Sequence, residues 1–244
     1  MNPNPTEFKT GVIAPVECLK EGWATIKDRY WLFLGITLVA MLIGGAVPIV
    51  LIGPMMCGLY MCLFAKMRGE PVEFGQLFKG FDYFVPALIA AAIQTVPILI
   101  IVVVADIFFV AFTYTVVPNN RGEGPPVIFW VVLVLFMLLV GIVSLVIHTL
   151  FLFSYPLVVD RKLSGLEAIK TSCRAALKNL GGIVGLILLM FALTILGVLA
   201  CYVGVFFLLP VSFASYAAAY RRVFPDIGTP NFASPPPPPG SWAA

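Results

Sequence analysis

YWLFLGITLVAMLIGGAVPIVLIGPMMCGLYMCLFA, the 36 uncharged residues from Tyr30 to Ala65, lies between Lys27-Asp28-Arg29 and Lys66-Met67-Arg68. About 20 apolar helical residues cross the ~30 Å hydrocarbon core of a bilayer. The run is therefore too long for a soluble core helix and too long for one crossing. Short loops rich in Lys and Arg stay in the cytoplasm, so a run with basic residues at both ends crosses an even number of times. Gly44-Gly45-Ala46-Val47-Pro48 supplies the turn, and the two spans are expected over residues 31–47 and 49–66.

The same counting extends along the chain. Tyr83 to Asn120 is interrupted only by Asp106, and Gly124 to Val159 carries no charge. Between them the turn-rich loop from Pro118 to Pro126 holds Arg121, the one basic residue of fifteen placed outside the cell. Spans three and four are expected over 84–117 and 127–158. Both exceed what a bilayer requires, so tilt, protrusion or a kink at Pro97 must absorb the excess. Arg161, Lys162, Lys170, Arg174 and Lys178 return the chain to the cytoplasm. The uncharged run from Asn179 to Tyr220 then forms a second hairpin, 181–201 and 203–220, closed by Arg221-Arg222.

The expected fold is an all-α polytopic bundle of six spans in the inner (cytoplasmic) membrane, with both termini cytoplasmic. Residues 15–224 form one domain; residues 1–14 and the Pro-rich tail 225–244 are expected to be disordered. Met1 to Gly11 is polar, with Pro3 and Pro5, and does not read as a cleavable secretory signal.

Composition agrees. A hydrophobic share of 61% with 11% charged residues lies far from the roughly one quarter charged that soluble domains carry. Five scattered cysteines and the lone His148 support neither a disulfide framework nor a metal site, and no cofactor fingerprint is present. The net charge of +3 is small, and its basic residues flank apolar runs. They suit anionic lipid headgroups rather than nucleic acid.

A weak internal repeat runs through the chain. Val16, Leu19, Trp23, Ile26 and Tyr30 have the spacing of an amphipathic helix. Leu166, Ile169, Cys173, Ala176 and Leu180 follow at an offset of 150, and Glu17 and Lys20 match Glu167 and Lys170. Each helix precedes an apolar hairpin whose second span carries a proline, Pro54 or Pro210, followed six residues later by Tyr60 or Tyr216. The two amphipathic helices are expected along the inner membrane face, with the hairpins packed around the long central pair. Ser164-Gly165-Leu166-Glu167 reads as a capping box that starts the second of them.

The loop from Arg68 to Phe84, RGEPVEFGQLFKGFDYF, preceded by Gly53-Pro54 and Gly58-Leu59-Tyr60, resembles a widespread group of bacterial integral membrane proteins of uncharacterised role. More distantly it is similar to the membrane domain attached to some glycerophosphodiester phosphodiesterases. Pro156 to Asp160 and Glu167 to Ser172 resemble the second half of that pattern. The resemblance implies a six-span α-helical fold and supplies no catalytic residue.

Three polar residues within or beside the apolar runs are candidates: Asp106, His148 and Gln94. Asp106 counts to the outer interface, where water solvates it; a proton or solute pathway is the alternative. His148 and Gln94 each lie ten residues from the cytoplasmic end of their spans, at similar depth. A structural hydrogen bond from His148 to Gln94 or Ser144 is expected, with a titrating switch as the alternative. No phosphate loop, carboxylate pair or Ser/His/Asp set appears, so no enzyme is expected.

Two functions stand on the sequence. A scaffold or partner-binding subunit, contacting the bilayer and either another protein or a second copy, is favoured because the intramembrane polar residues are few and lie at unequal depths. A channel or carrier for a small solute or lipid is the alternative, with Gly53-Pro54 or Val96-Pro97 breaking helix geometry to free carbonyls. The topology is checked by labelling single-cysteine variants from outside the cell: a cysteine at Asn120 reacts and one at Lys170 does not. Reaction of both from the same side contradicts it.

Overall fold

The structure is a computed structural model that describes residues 6–116, 127–199 and 203–225. Its elements are α1 (Pro15–Ile26), a 3-10 turn (Lys27–Arg29), α2 (Tyr30–Ala46), α3 (Pro48–Met67), a 3-10 segment (Phe74–Tyr83), α4 (Phe84–Val116), α5 (Val127–Phe151), α6 (Ser154–Asp160), α7 (Gly165–Lys178), α8 (Leu180–Leu199) and α9 (Val203–Val223). No strand occurs among the described residues. Six helical stretches are long and apolar enough to cross a membrane, and the chain is a membrane-embedded helical protein. The loop 118–126 and the tail from residue 226 lie outside the described residues.

Five of the six expected spans match α2, α3, α4, α8 and α9 to within a few residues. The fourth does not run unbroken to residue 158. It ends at Phe151, and α6 begins at Ser154 after a two-residue turn. Pro156 fits the break: it has no N–H for the carbonyl four residues earlier, and it stands in the first turn of the new helix, where that missing donor costs nothing. Ser172 of α7 stitches the gap. Its hydroxyl donates to the Leu150 carbonyl at 2.7 Å and accepts from the Phe153 N–H at 3.2 Å. Two backbone groups released by the break are thus satisfied where bulk water is absent.

The hairpins do not pack around the long central pair. The centre is α3, which is buried from Gly53 to Ala65 except at Met61, and which packs against α2, the 3-10 segment, α4, α6 and α9. By contrast, the most apolar stretch of α5 has no buried residue in the bare protein, as befits a lipid-facing helix. Small residues bring backbones to α3. A Cβ on Gly58 would collide with the Leu77 carbonyl, and one on Gly80 would collide with the carbonyl of Pro54 and stand 2.5 Å from the Gly58 nitrogen. A Cβ on Gly53 would stand 2.5 Å from the Ala87 carbonyl oxygen. Apolar contact gains nothing over lipid inside a bilayer, so such close backbone approach is a main source of association. It also accounts for a 3-10 segment of ten residues, longer than such helices usually run.

Each of the two short helices packs under a hairpin: α1 against α8 and α9, α7 against α4 and α5. The capping box forms at Ser164 and Glu167. The buried faces keep part of the apolar stripes read in the sequence, Ile26 on α1 and Ile169 and Ala176 on α7, and add small residues to them. Small residues point inward, Cys18 and Gly22 on α1 and Ala168, Ser172 and Ala175 on α7, whereas Val16, Trp23 and Leu166 are exposed. Gly22 is the tightest point, because a Cβ there would lie 2.6 Å from the Ser215 nitrogen of α9.

Thr6 to Ala14, expected as part of a disordered N-terminus, is tied down. The Lys9 N–H donates to the Val223 carbonyl at 2.9 Å, and the Gly11 N–H donates to Asn179 Oδ1 at 2.7 Å. Asn179 returns a bond from Nδ2 to the Lys9 carbonyl.

Gly58→Ala is expected to lower stability by about 2 kcal/mol, the cost of overpacking a tight contact, or roughly 5 °C in melting temperature. Gly141→Ala, on α5 with open space beside it, leaves the melting temperature unchanged or raises it slightly. Thermal unfolding in detergent reads both.

Candidate functional site

Gln94 of α4 and His148 of α5 line one cavity of about 240 Å3, as their matched depths lead one to expect. The wall opposite comes from α3, through Met56 and Tyr60, and from α9, through Phe213 and Tyr216; Tyr155 of α6 closes the inner end. Five helices thus contribute, and the Pro156 break aims the start of α6 at the cavity.

The geometry inside differs from the expected hydrogen bond. His148 donates to neither Gln94 nor Ser144; its ring meets Tyr216 edge-on, with centroids 6.1 Å apart. Gln94 Oε1 is shielded from solvent and has no hydrogen-bond partner. The hydroxyls of Tyr60, Tyr155 and Tyr216 also make no hydrogen bond among the described residues. Two other tyrosines show the contrast: Tyr30 donates to the Phe207 carbonyl at 2.7 Å, and Tyr220 donates to Asp160 Oδ2 at 2.8 Å. Thr95, also on the cavity wall, departs from Thr113, Thr149 and Thr194. Those three hydroxyls bond to the carbonyl four residues earlier at 2.7–2.8 Å, whereas that of Thr95 does not. Buried polar groups are ordinarily hydrogen-bonded; here Gln94 Oε1 is buried without a partner, and the other polar groups open onto the same space unpaired.

Asp106 stands apart. It lies exposed on α4, twelve residues beyond Gln94 and so roughly 18 Å along the helix axis, and makes no ion pair or hydrogen bond among the described residues. The three candidates therefore separate into a convergent pair and an isolated carboxylate.

A second cavity of about 280 Å3 is lined by Arg68, Glu70, Gln76, Lys79 and Asp160 together with apolar residues that include three of α3. Its charges are largely matched within the protein. Arg68 donates to both Glu70 oxygens at 2.6 and 3.1 Å, and this guanidinium holds the Glu70 carboxyl below its usual range. Asp160 pairs with Arg221 at 2.9 Å and accepts from Tyr220. Arg221 lies over the Phe64 ring, 4.3 Å from its centroid. Arg222 reaches Glu17 at 2.7 Å and Glu21 at 2.6 Å, so the basic pair that marks the cytoplasmic side in the sequence also ties α9 to α6 and α1.

Tyr60, Tyr155 and Tyr216 were not singled out as site residues. Tyr60 and Tyr216 do carry a signal, the shared spacing of six residues after a proline, which reads as a mark of the repeat. Tyr155 carries none, because nothing in the sequence shows the turn that aims it. No group of three His, Cys, Asp or Glu side chains is placed to share a metal ion among the described residues. Nothing matches this chain among protein-family models, curated proteins or solved structures.

Asp106→Asn is expected to change stability by less than about 0.5 kcal/mol, as for an unpartnered exposed side chain. Asp160→Ala, which leaves the largely buried Arg221 without its carboxylate, costs about 3 kcal/mol. Thermal melts of the two variants side by side check the assignment.

Proposed function

We propose that the protein is a non-catalytic, six-span protein of the inner membrane that binds a small solute or lipid within the bilayer and serves as its carrier. One observation carries this reading: Gln94, Thr95, His148 and three tyrosine hydroxyls, drawn from five helices, face a single cavity without partners of their own. The sequence favours a scaffold because its intramembrane polar residues lie at unequal depths. Two of the three candidates nevertheless share one cavity, and the tyrosines complete a lining of the kind small-ligand sites have, mostly apolar with a few convergent polar groups.

The rest of the reading follows from the same features. Basic residues at the ends of α3, α6 and α9 support cytoplasmic termini. On α1 and α7 small residues face the protein while Val16, Trp23 and Leu166 face outward, which supports placing both as amphipathic helices in the inner headgroup layer. A duplication is supported by their matching inward positions, Cys18 with Ala168 and Gly22 with Ser172, and by Tyr60 and Tyr216 lining the same space. The scaffold reading keeps one observation in its favour: α4 has 33 residues, roughly 50 Å of helix, and with α5 forms a pair that is barely buried, a surface suited to a protein partner.

Purification from native membranes in mild detergent followed by native mass spectrometry decides between them. A non-protein ligand held at fixed stoichiometry, lost in a Gln94→Leu/Tyr216→Phe double variant, is expected. A stoichiometric protein partner with no such ligand overturns the carrier reading in favour of a scaffold.

A further inference from the structure

The cavity between α3, α4, α5, α6 and α9 has a chemistry that narrows its occupant. Its lining contains no carboxylate, ammonium or guanidinium. The nearest candidate charge on α4, Asp106, is a further roughly 18 Å along the helix, and Asp160 is already engaged by Arg221 and Tyr220. A charged solute at this depth would lose its hydration without meeting a counter-charge, a transfer that costs far more than that of a neutral molecule. The occupant is therefore uncharged.

Its shape and polarity follow from the walls. Five aromatic side chains besides His148 line the space: Tyr60, Phe151, Tyr155, Phe213 and Tyr216. Tyr60 meets Phe213 edge-on, with centroids 6.4 Å apart. Flat faces and ring edges of this kind pack best on a planar ring. The polar groups between them can donate through three phenol hydroxyls, the Thr95 hydroxyl, the Gln94 amide N–H2 and an imidazole N–H, while Gln94 Oε1, shielded and without a partner, can only accept. A ligand with two or more acceptor oxygens pairs with these donors, and a ring hydroxyl would pair with Gln94 Oε1; a ligand with neither leaves them all unpaired, which is where recognition of polar ligands gains most of its selectivity.

Size and access complete the description. At about 240 Å3 the space is smaller than a site for a whole drug-sized molecule, which starts near 300 Å3. It holds one substituted ring and no long chain. The outward side of the two helices is apolar: Val96 and Leu99, each next to a lining residue on α4, and Leu145, one turn before His148 on α5, are exposed, as is His148. The mouth therefore opens into the hydrocarbon rather than the water on either side.

We infer that this cavity takes the ring of an uncharged, lipid-soluble compound bearing carbonyl acceptors, the chemistry of a quinone headgroup, which enters sideways from the bilayer and leaves its alkyl tail among the lipids. The inference rests on the small-ligand reading above and adds the class of ligand and its route. Tyr60, Tyr155 and Tyr216 are its binding hydroxyls, and Gln94 is the side chain that fixes the orientation of the ring.

The test uses the full chain in phosphatidylcholine nanodiscs with three probes that share a decyl tail: a decyl-1,4-benzoquinone, decylbenzene and decyl phosphate. Binding is followed by native mass spectrometry over a range of probe-to-lipid ratios. One quinone per chain, saturable and at least tenfold tighter than either comparison probe, is expected. Gln94→Leu weakens it about tenfold, the loss of roughly one well-formed hydrogen bond. Tyr60→Phe, Tyr155→Phe and Tyr216→Phe each weaken it severalfold with unchanged melting temperatures, because those hydroxyls have no protein partner to lose. Decylbenzene binding as tightly as the quinone, or tyrosine variants that bind the quinone normally, overturns the inference. Preference for decyl phosphate overturns it while leaving the small-ligand reading intact, and saturable binding of none of the three overturns it outright. The small-ligand reading falls with it only if the protein purified from native membranes also carries no ligand.

Discussion

Backbone meets backbone where α3 passes the 3-10 segment, and the remaining helices are arranged by that contact. Inside a bilayer an apolar side chain gains little by leaving lipid for protein, so helices associate through close packing and buried hydrogen bonds. Gly58 and Gly80 allow the two segments to touch without an intervening side chain, and Gly53 continues the contact to Ala87 at the start of α4. With α3 fixed against the segment that leads into α4, the polar face of α4 at Gln94 is turned toward Met56 and Tyr60. The position of the cavity is thus a consequence of three glycines at some distance from it.

A second constraint acts on the other side. Pro156 interrupts the descent of the fourth span, and in a membrane the freed backbone groups cannot be left to water. Ser172 answers for two of them. The hydroxyl that does so belongs to α7, a helix outside the membrane-crossing set, so the break and the short helix depend on each other. The inner ends are then closed by charge. Asp160 holds Arg221 and Tyr220, Glu17 and Glu21 hold Arg222, and Asn179 holds the chain before α1. These ties lie at or beyond the ends of the apolar helical stretches, where the cost of keeping charges is lowest.

The sequence disclosed the class of fold because hydropathy and basic residues respond to the bilayer, a constraint that acts on each segment alone. The span limits at Tyr30, Met67 and Leu180 lie within one residue of those expected from it. The capping box at Ser164 and Glu167 was legible for the same reason, being local. What the sequence concealed is tertiary. The break at Leu152-Phe153 depends on Ser172 twenty residues later. The inward faces of α1 and α7 join small residues to Ile26 and Ile169, so a reading that follows large apolar side chains finds only part of each face. The equal depth of Gln94 and His148 could be counted from the ends of their spans, yet that α9 adds Tyr216 and that α6 turns Tyr155 inward could not, since both depend on which helices are neighbours around α3.

The central claim is that α5 and α9 meet at the cavity with His148 against Tyr216, a neighbourhood that no segment announces by itself. Cross-linking in native membranes addresses it most directly, using a cysteine-free background that carries His148→Cys with Tyr216→Cys, and a short bifunctional thiol reagent. The ring centroids stand 6.1 Å apart, so rapid intramolecular linking is expected for this pair, with none for Asp106→Cys paired with Tyr216→Cys. Linking of the Asp106 pair, or failure of the His148 pair in a variant that still folds, would contradict the arrangement of helices on which the cavity rests.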